Sequence, residues 1–169
     1  MTDAKGLDDL PSGWVSTTLE AVATSSKEKV DPARVPDAPY IGLEHIEGAG
    51  SLRITGLGRG SDAKSTKSVF RPGDVLYGKL RPYLNKVALP DFEGICSTDI
   101  LVLRSREGLD ARFLAKLMSQ PAFVEFAHHA SNGVELPRVG WKALAEFPIS
   151  LPPLDQQRRI ADWLDEIDG

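Results

Sequence analysis

The chain is poor in the residues that most forms of catalysis, cross-linking and membrane insertion need. Cys96 is the only cysteine, which excludes an internal disulfide and a cysteine-rich zinc site. The longest apolar stretches, such as Ile100–Leu103, are far shorter than the roughly 20 residues that span a bilayer. The segment MTDAKGLDDLPSGW has no apolar core and reads as no secretory signal, so a cytoplasmic location is expected. Phosphate-cradling motifs are also missing. Gly60–Thr66 lacks the second glycine of a P-loop, and Gly56–Gly60 is Gly-x-Gly-x-Gly in a loop rather than a dinucleotide fingerprint. No Gly-x-Ser-x-Gly elbow occurs. The three histidines are His45, His128 and His129. On a helix the adjacent pair diverges by about 100°, which defeats joint metal ligation. Glu44 beside His45 reads as a structural pair rather than an acid–base pair. We expect no catalytic residue, no metal and no cofactor in this chain.

What is present fits one globular domain: 169 residues, 41% hydrophobic and 26% charged, with a net charge of −4. The charge is unevenly placed. Residues 1–20 carry Lys5 against Asp3, Asp8, Asp9 and Glu20, and residues 155–169 are equally acidic at −3. Between them lies a positive segment, Lys64–Lys86, with Lys64, Lys67, Arg71, Lys79, Arg81 and Lys86 against Asp74 alone, a net of +5. In SVFRPGDVLYGKLRPYLNKVAL these cations alternate with aromatics and an amide. Lysine and arginine neutralise phosphates with counterion release, and arginine and asparagine also read purine edges. A solvated strand face with snorkelling lysines has the same composition.

The periodicity changes along the chain. Trp14–Thr18, Pro39–Ile46, Asp74–Leu80, Lys86–Leu89 and Ile95–Arg104 read as strands. Leu19–Thr24 reads as a short helix capped by Thr18, residues 25–38 as an exposed loop, and Glu47–Gly60 as a glycine-rich loop or hairpin. Helices are expected at Ala111–Ser119 after an Asp110 N-cap, at Ala122–His129 opened by Pro121, and at Val139–Glu146. Phe147–Leu151 returns to extended chain, and Pro152-Pro153 separates it from a last helix, Asp155–Asp168. That helix carries Ile160, Trp163, Leu164 and Ile167 at i, i+3, i+4, i+7. The fold class is α+β: a mostly antiparallel sheet with packed helices and a C-terminal amphipathic helix that looks built for a partner. Cys96 is expected to be a small buried hydrophobe.

LPSGW, YIGLEHI, FRPGDVLYGKLRPYLNKV and FPISLPPLDQQRRIADWL follow one another in that order. Together they resemble one target-recognition domain of the specificity (S) subunit of type I restriction-modification systems. The resemblance runs from about Leu10 to Ile167. It implies a sequence-specific, non-catalytic DNA-binding unit over residues 1–152. Residues 153–169 would open the conserved helix that separates half-sites, dimerises and meets the methyltransferase (M) subunit. Double-stranded DNA, the M subunit, the restriction (R) subunit and a second S subunit or copy of this chain are the partners implied, with no membrane. S-adenosylmethionine would belong to the M subunit.

Within that frame Lys79, Arg81 and Lys86 are expected to contact phosphates or base edges, with Tyr83 an orienting or packing aromatic more at home in the core. Lys64, Lys67, Arg53 and Arg59 extend the footprint, and Asn132 and Arg138 flank a further loop. Ile160, Trp163, Leu164 and Ile167 are the expected partner-binding face. The competing expectation is a degenerate S fragment that keeps the fold as a protein-interaction module without reading DNA.

Overall fold

The computed structural model describes residues 10–168. Among the described residues eleven short strands fall into three sheets, and the longer helices gather toward the C-terminal end. Strand β1 (Val15–Thr18) pairs antiparallel with β11 (Pro148–Leu151), which brings the start of the described chain against its last strand. A four-stranded sheet runs β2 (Ala23–Ser25), β10 (Ile100–Ser105), β7 (Val75–Gly78), β8 (Val87–Ala88), all antiparallel. A five-stranded sheet runs β3 (Lys29–Val30), β6 (Lys67–Phe70), β9 (Gly94–Cys96), β4 (Pro39–Ile41), β5 (Gly58–Arg59). Its β4–β9 pair is the one parallel pairing among the described strands. The α+β class and the predominance of antiparallel pairing agree with the sequence reading.

Several expected elements have different bounds. Ile95–Arg104 is not one strand. The turn Ser97–Asp99, closed by Ile100 N–H to Ser97 O at 3.0 Å and Asp99 N–H to Ser97 Oγ at 3.1 Å, divides it into β9 and β10. The two halves then enter different sheets. Residues 25–38 are not simply loop, since β3 forms the edge of the five-stranded sheet and Pro32–Arg34 forms a 3-10 turn capped by Asp31. Pro39–Ile46 is strand only to Ile41 and then turns as 3-10 over Leu43–His45. Helix α1 stops at Val22 (Leu19–Val22), and the Thr18 hydroxyl makes no cap bond. The first N–H groups of α1 donate instead to Phe147 O and Ala145 O, both at 3.0 Å. These helix-terminal donors need some acceptor, and neighbouring backbone serves.

Helix α2 (Ala111–Met118) is capped as expected: Asp110 accepts from Arg112 N and Phe113 N. Helix α3 (Pro121–Ala130) opens with proline, where a missing N–H costs nothing. The third expected helix shrinks to α4 (Trp141–Leu144), and α5 (Leu154–Asp168) follows the proline pair. Two cores result. The larger joins Val75, Tyr77 and Leu103 of the four-stranded sheet to Leu114, Met118 and Phe123 of the helices. The smaller fills the space between the sheets with Ile41, Phe70, Leu76, Cys96 and Val102. Cys96 is fully buried, which pushes its thiol up to about 12.

Candidate nucleic-acid interface

Strand β7 lies buried at the centre of its sheet, so the residues just beyond Gly78 are delivered to the sheet's end at a fixed position. Lys79 N–H donates to Asp99 O at 2.9 Å, and Lys79 O accepts from Val139 N–H at 3.1 Å. Arg81 N–H donates to Pro137 O at 2.7 Å. Arg81 itself is left-handed, φ 52 and ψ 64, and starts a 3-10 turn over Pro82–Leu84 that ends on a second left-handed residue, Asn85, φ 53. Asparagine adopts this conformation readily, whereas arginine gives up about 1–2 kcal/mol to hold it. Asn85 Nδ2 donates to Ser119 O at 2.9 Å, and its buried Oδ1 has no partner among the described residues.

A second strained loop is zipped onto the first. Ala49 (φ 61) donates to Leu84 O at 2.9 Å, Gly50 donates to Asn85 O at 3.0 Å, and Leu52 is left-handed at φ 65. Gly48 is required by this approach, because a Cβ there would sit 2.6 Å from Leu84 O. Every left-handed non-glycine residue of the described chain therefore lies on these two joined loops. Backbone strain persists only where the surrounding structure over-determines it, and such places concentrate at functional sites. An open cavity of about 640 Å³ lies alongside, lined by Tyr83, Asn85, Gln120, Val124 and His128.

A third loop completes the edge. Asn132 and Arg138 exchange backbone hydrogen bonds of 2.8 and 2.9 Å, and Arg138 also bridges to Leu80. The Arg138 guanidinium meets Asp99 at 3.0 Å. Folding thus brings Lys79, Arg81, Tyr83, Asn132 and Arg138 to one edge and carries the remaining candidates elsewhere or puts them to other uses.

Arg81 is exposed and has no carboxylate or hydrogen-bond partner for its side chain among the described residues; half-buried Lys79 and exposed Lys64 have none either. Lys67 is buried, 9% exposed, donating to Ser65 Oγ at 2.7 Å and lying over the Tyr40 ring. Lys86 donates to Leu43 O at 2.6 Å, which makes it a tie between loops. Arg53 holds Glu47 with bonds of 3.0 and 3.3 Å, and this bond keeps the Glu47 carboxyl below its usual range. Arg59 is exposed in β5, where its N–H donates to Asp62 at 2.9 Å. Arg71 is tied to Glu28 and Glu93. The run of positive sequence is therefore dispersed over two sheets rather than folded into one stripe.

Tyr83 is not a core residue. It is 47% exposed and stands edge-on to His128 at 5.9 Å, while Tyr77 takes the core position. His45 is structural, its Nδ1 accepting from Gly42 N–H at 2.9 Å. Sequence reasoning missed the strain at Ala49 and Leu52 because hydropathy carries no sign of φ. The Asn85 anchor was legible only as an amide among cations.

Helix α5 docks on α2 through Arg112–Asp162 and Lys116–Asp165 pairs at 2.7 Å each and on the α2 cap through Gln157, which, like Ala161, is fully buried. The expected apolar face divides accordingly. Ile160 and Leu164 are half-buried at its margin, while Trp163 and Ile167 remain 61% and 59% exposed.

These features define an α+β domain with a strained, cation-bearing loop edge and a docked last helix that exposes Trp163 and Ile167. Residues 11–169 match the family described as type I restriction modification DNA specificity domain. The chain belongs to that family. It is 31% identical over 166 residues to the type I restriction enzyme EcoDI specificity subunit of Escherichia coli, covering 96% of this chain and 36% of that protein. A chain from a type I R-M system solved for its complex assembly and conformational transition matches with a TM-score of 0.80 at 30% identity. The HsdS subunit from Thermoanaerobacter tengcongensis matches at 0.76, also with 30% identity. Both structural matches cover 94% of this chain and 43% of the solved chain. The chain thus spans well under half the length of these relatives.

Proposed function

We propose that this chain is a DNA half-site reader: a non-catalytic recognition unit of a type I restriction-modification specificity subunit, with residues 1–152 as the reading domain. Residues 153–169 would begin the helix through which it meets an M subunit and a second recognition unit or copy. The R subunit would join in the full complex. S-adenosylmethionine would be bound by the M subunit, so the chemistry takes place outside this chain. The cytoplasmic site of such systems agrees with the described residues, in which no helix is long and apolar enough to cross a membrane. Double-stranded DNA is the substrate that suits family membership and the loop edge together.

The observation that carries the reading is Arg81. Its backbone is held in a costly conformation within a loop tied to two neighbouring loops, yet its charge is left without a counter-ion among the described residues. A residue built so precisely and left unneutralised suits an external anion. Measuring duplex affinity against salt for wild type and Arg81→Ala tests it. If Arg81 meets phosphate, every duplex is weakened alike and the slope of log K against log salt falls by about one. If it reads guanine, the loss concentrates at one base position. Unchanged affinity and slope would remove Arg81 from the interface.

A further inference from the structure

The third loop has a firm base and an unpacked tip. Its base is held by the Asn132–Arg138 backbone pair, the Arg81–Pro137 bond at 2.7 Å and the Arg138–Asp99 ion pair at 3.0 Å. Pro137 is buried. Gly133 at φ 106 makes the reversal, and a Cβ there would press on Leu136 O at 3.1 Å. On this base Val134 is 98% exposed and Leu136 49% exposed. Two branched apolar side chains in water at the end of a pinned loop gain nothing from the fold of the monomer. Burial against a partner would return the free energy that exposure forgoes.

The neighbours decide which partner. Arg81 and Lys79 flank the loop through direct backbone bonds and carry charges with no counter-ion among the described residues, so the ligand that covers the tip must bring anions to both. An apolar protein surface would bury those cations beside it; a duplex supplies phosphates at the rim and apolar thymine methyl groups in the major groove.

We infer that Val134, supported by Leu136, is a specificity-determining residue that packs against a thymine methyl group in the DNA major groove, an inference that rests on the half-site reading above. Arg81 and Lys79 hold the backbone while the loop tip samples the base edge. Glu135, between the two apolar residues, is exposed.

The test selects preferred duplexes from a random library with the 169-residue chain at low ionic strength, where phosphate contacts are strongest. It then compares wild type with Val134→Ser and Leu136→Ser. Since Val134 touches so little of its own protein, Val134→Ser should melt with the wild type. Replacing one thymine of the selected site by deoxyuridine should weaken wild-type binding about fourfold, the effect of exposing one buried methyl-sized group. Val134→Ser should show a similar loss on the thymine site and no further loss on the deoxyuridine site. Variants that keep the selected sequence and affinity, or that respond to deoxyuridine as wild type does, overturn the role of Val134 and leave the half-site reading intact. A wild-type chain that selects no sequence overturns both.

Discussion

Gln157 offers the most exacting test of how α5 is held. Its side chain is fully buried and uses all its hydrogen-bonding capacity but one lone pair on backbone groups. Oε1 accepts from Asp110 N–H at 2.8 Å, while Nε2 donates to Gly108 O and Pro152 O, each at 2.9 Å. One amide thus ties α5 to the cap of α2 and to the break after β11. Gln157→Ala leaves three backbone groups unpaired. Gly108 is exposed and its carbonyl can regain water, but Pro152 is buried and Asp110 half-buried. At about 1–2 kcal/mol for each dry group and about 0.5 for the wet one, the loss is about 2.5–4.5 kcal/mol. That is a large share of a typical net stability of about 5–15 kcal/mol and corresponds to a melting shift of about 10 °C. Urea and thermal unfolding measure it, with the adjacent Gln156→Ala as control. Gln156 accepts only the Trp14 indole N–H at 2.9 Å and should cost about 1 kcal/mol. Gln157→Glu keeps the acceptor for Asp110 but turns a carboxylate oxygen toward two carbonyls. Its folded pKa should rise above the unfolded value near 4.3, so that variant should lose stability as pH rises through the folded value and regain it on acidification. A Gln157→Ala loss no larger than that of Gln156→Ala would refute the reasoning.

Three further predictions follow from the same geometry. The Lys116 ammonium, then Arg112, holds the Asp165 carboxyl below its ordinary 3.8. A depressed carboxylate stabilises above its unfolded pKa and loses that contribution as pH falls through its folded value, so the protection of α5 amides, taken relative to their intrinsic exchange rates, should fall below about pH 4; protection that stays constant through that range would argue against the clamp. Trp163→Glu with Ile167→Glu should block association through α5 and leave the melting temperature within about 2 °C, since both positions are mostly exposed; sedimentation with and without a partner, alongside a melt, separates the two effects. Cys96 should resist alkylation in the native chain at about pH 8 and react only as fast as the protein unfolds, because its thiol is buried and raised to about 12; rapid native labelling would show an opening of the second core.

The three longer helices were legible because each carries its own punctuation: Asp110 caps α2, Pro121 opens α3, and Pro152-Pro153 fixes the start of α5. The sheets were harder. Strands of two or three residues, such as β3 and β5, are too short to display a period, and their pairing lies in contacts far along the chain. The division between β9 and β10 falls at the polar Ser97-Thr98-Asp99 turn, but the short apolar segments on either side look the same whether the chain stays in one sheet or crosses to another. For the candidate site, composition located the segment and not the geometry. The sequence marks Arg81 by its charge, whereas its distinguishing property is a left-handed backbone in a loop held by those at Ala49 and Pro137. For Tyr83 the sequence leaves an orienting and a packing role open and leans to the core, but Tyr77 fills that space, packed edge-on to Phe123 at 5.6 Å.

The acidic total misleads for a related reason. With a net charge of −4, the chain seems a poor ligand for a polyanion. Yet a charge counts toward an approaching phosphate only within about a Debye length, roughly 8–10 Å in ordinary salt, and only to the extent that its own partners leave it unneutralised. Arg53, Arg71, Arg104 and Arg112 are each neutralised by carboxylates at 2.7 to 3.0 Å. Asp162 and Asp165 of the acidic last helix are in turn occupied with α2. These pairs cancel locally. At the loop edge the pairing stops: Arg81 and Lys79 have no counter-ion among the described residues, and Arg138 gives its Nε edge to Asp99. The field a duplex would meet there is set by two or three local cations rather than by the sum. Reversing distant acids on α5 should therefore change solubility more than DNA affinity, whereas the single change at Arg81 should change both affinity and its dependence on salt.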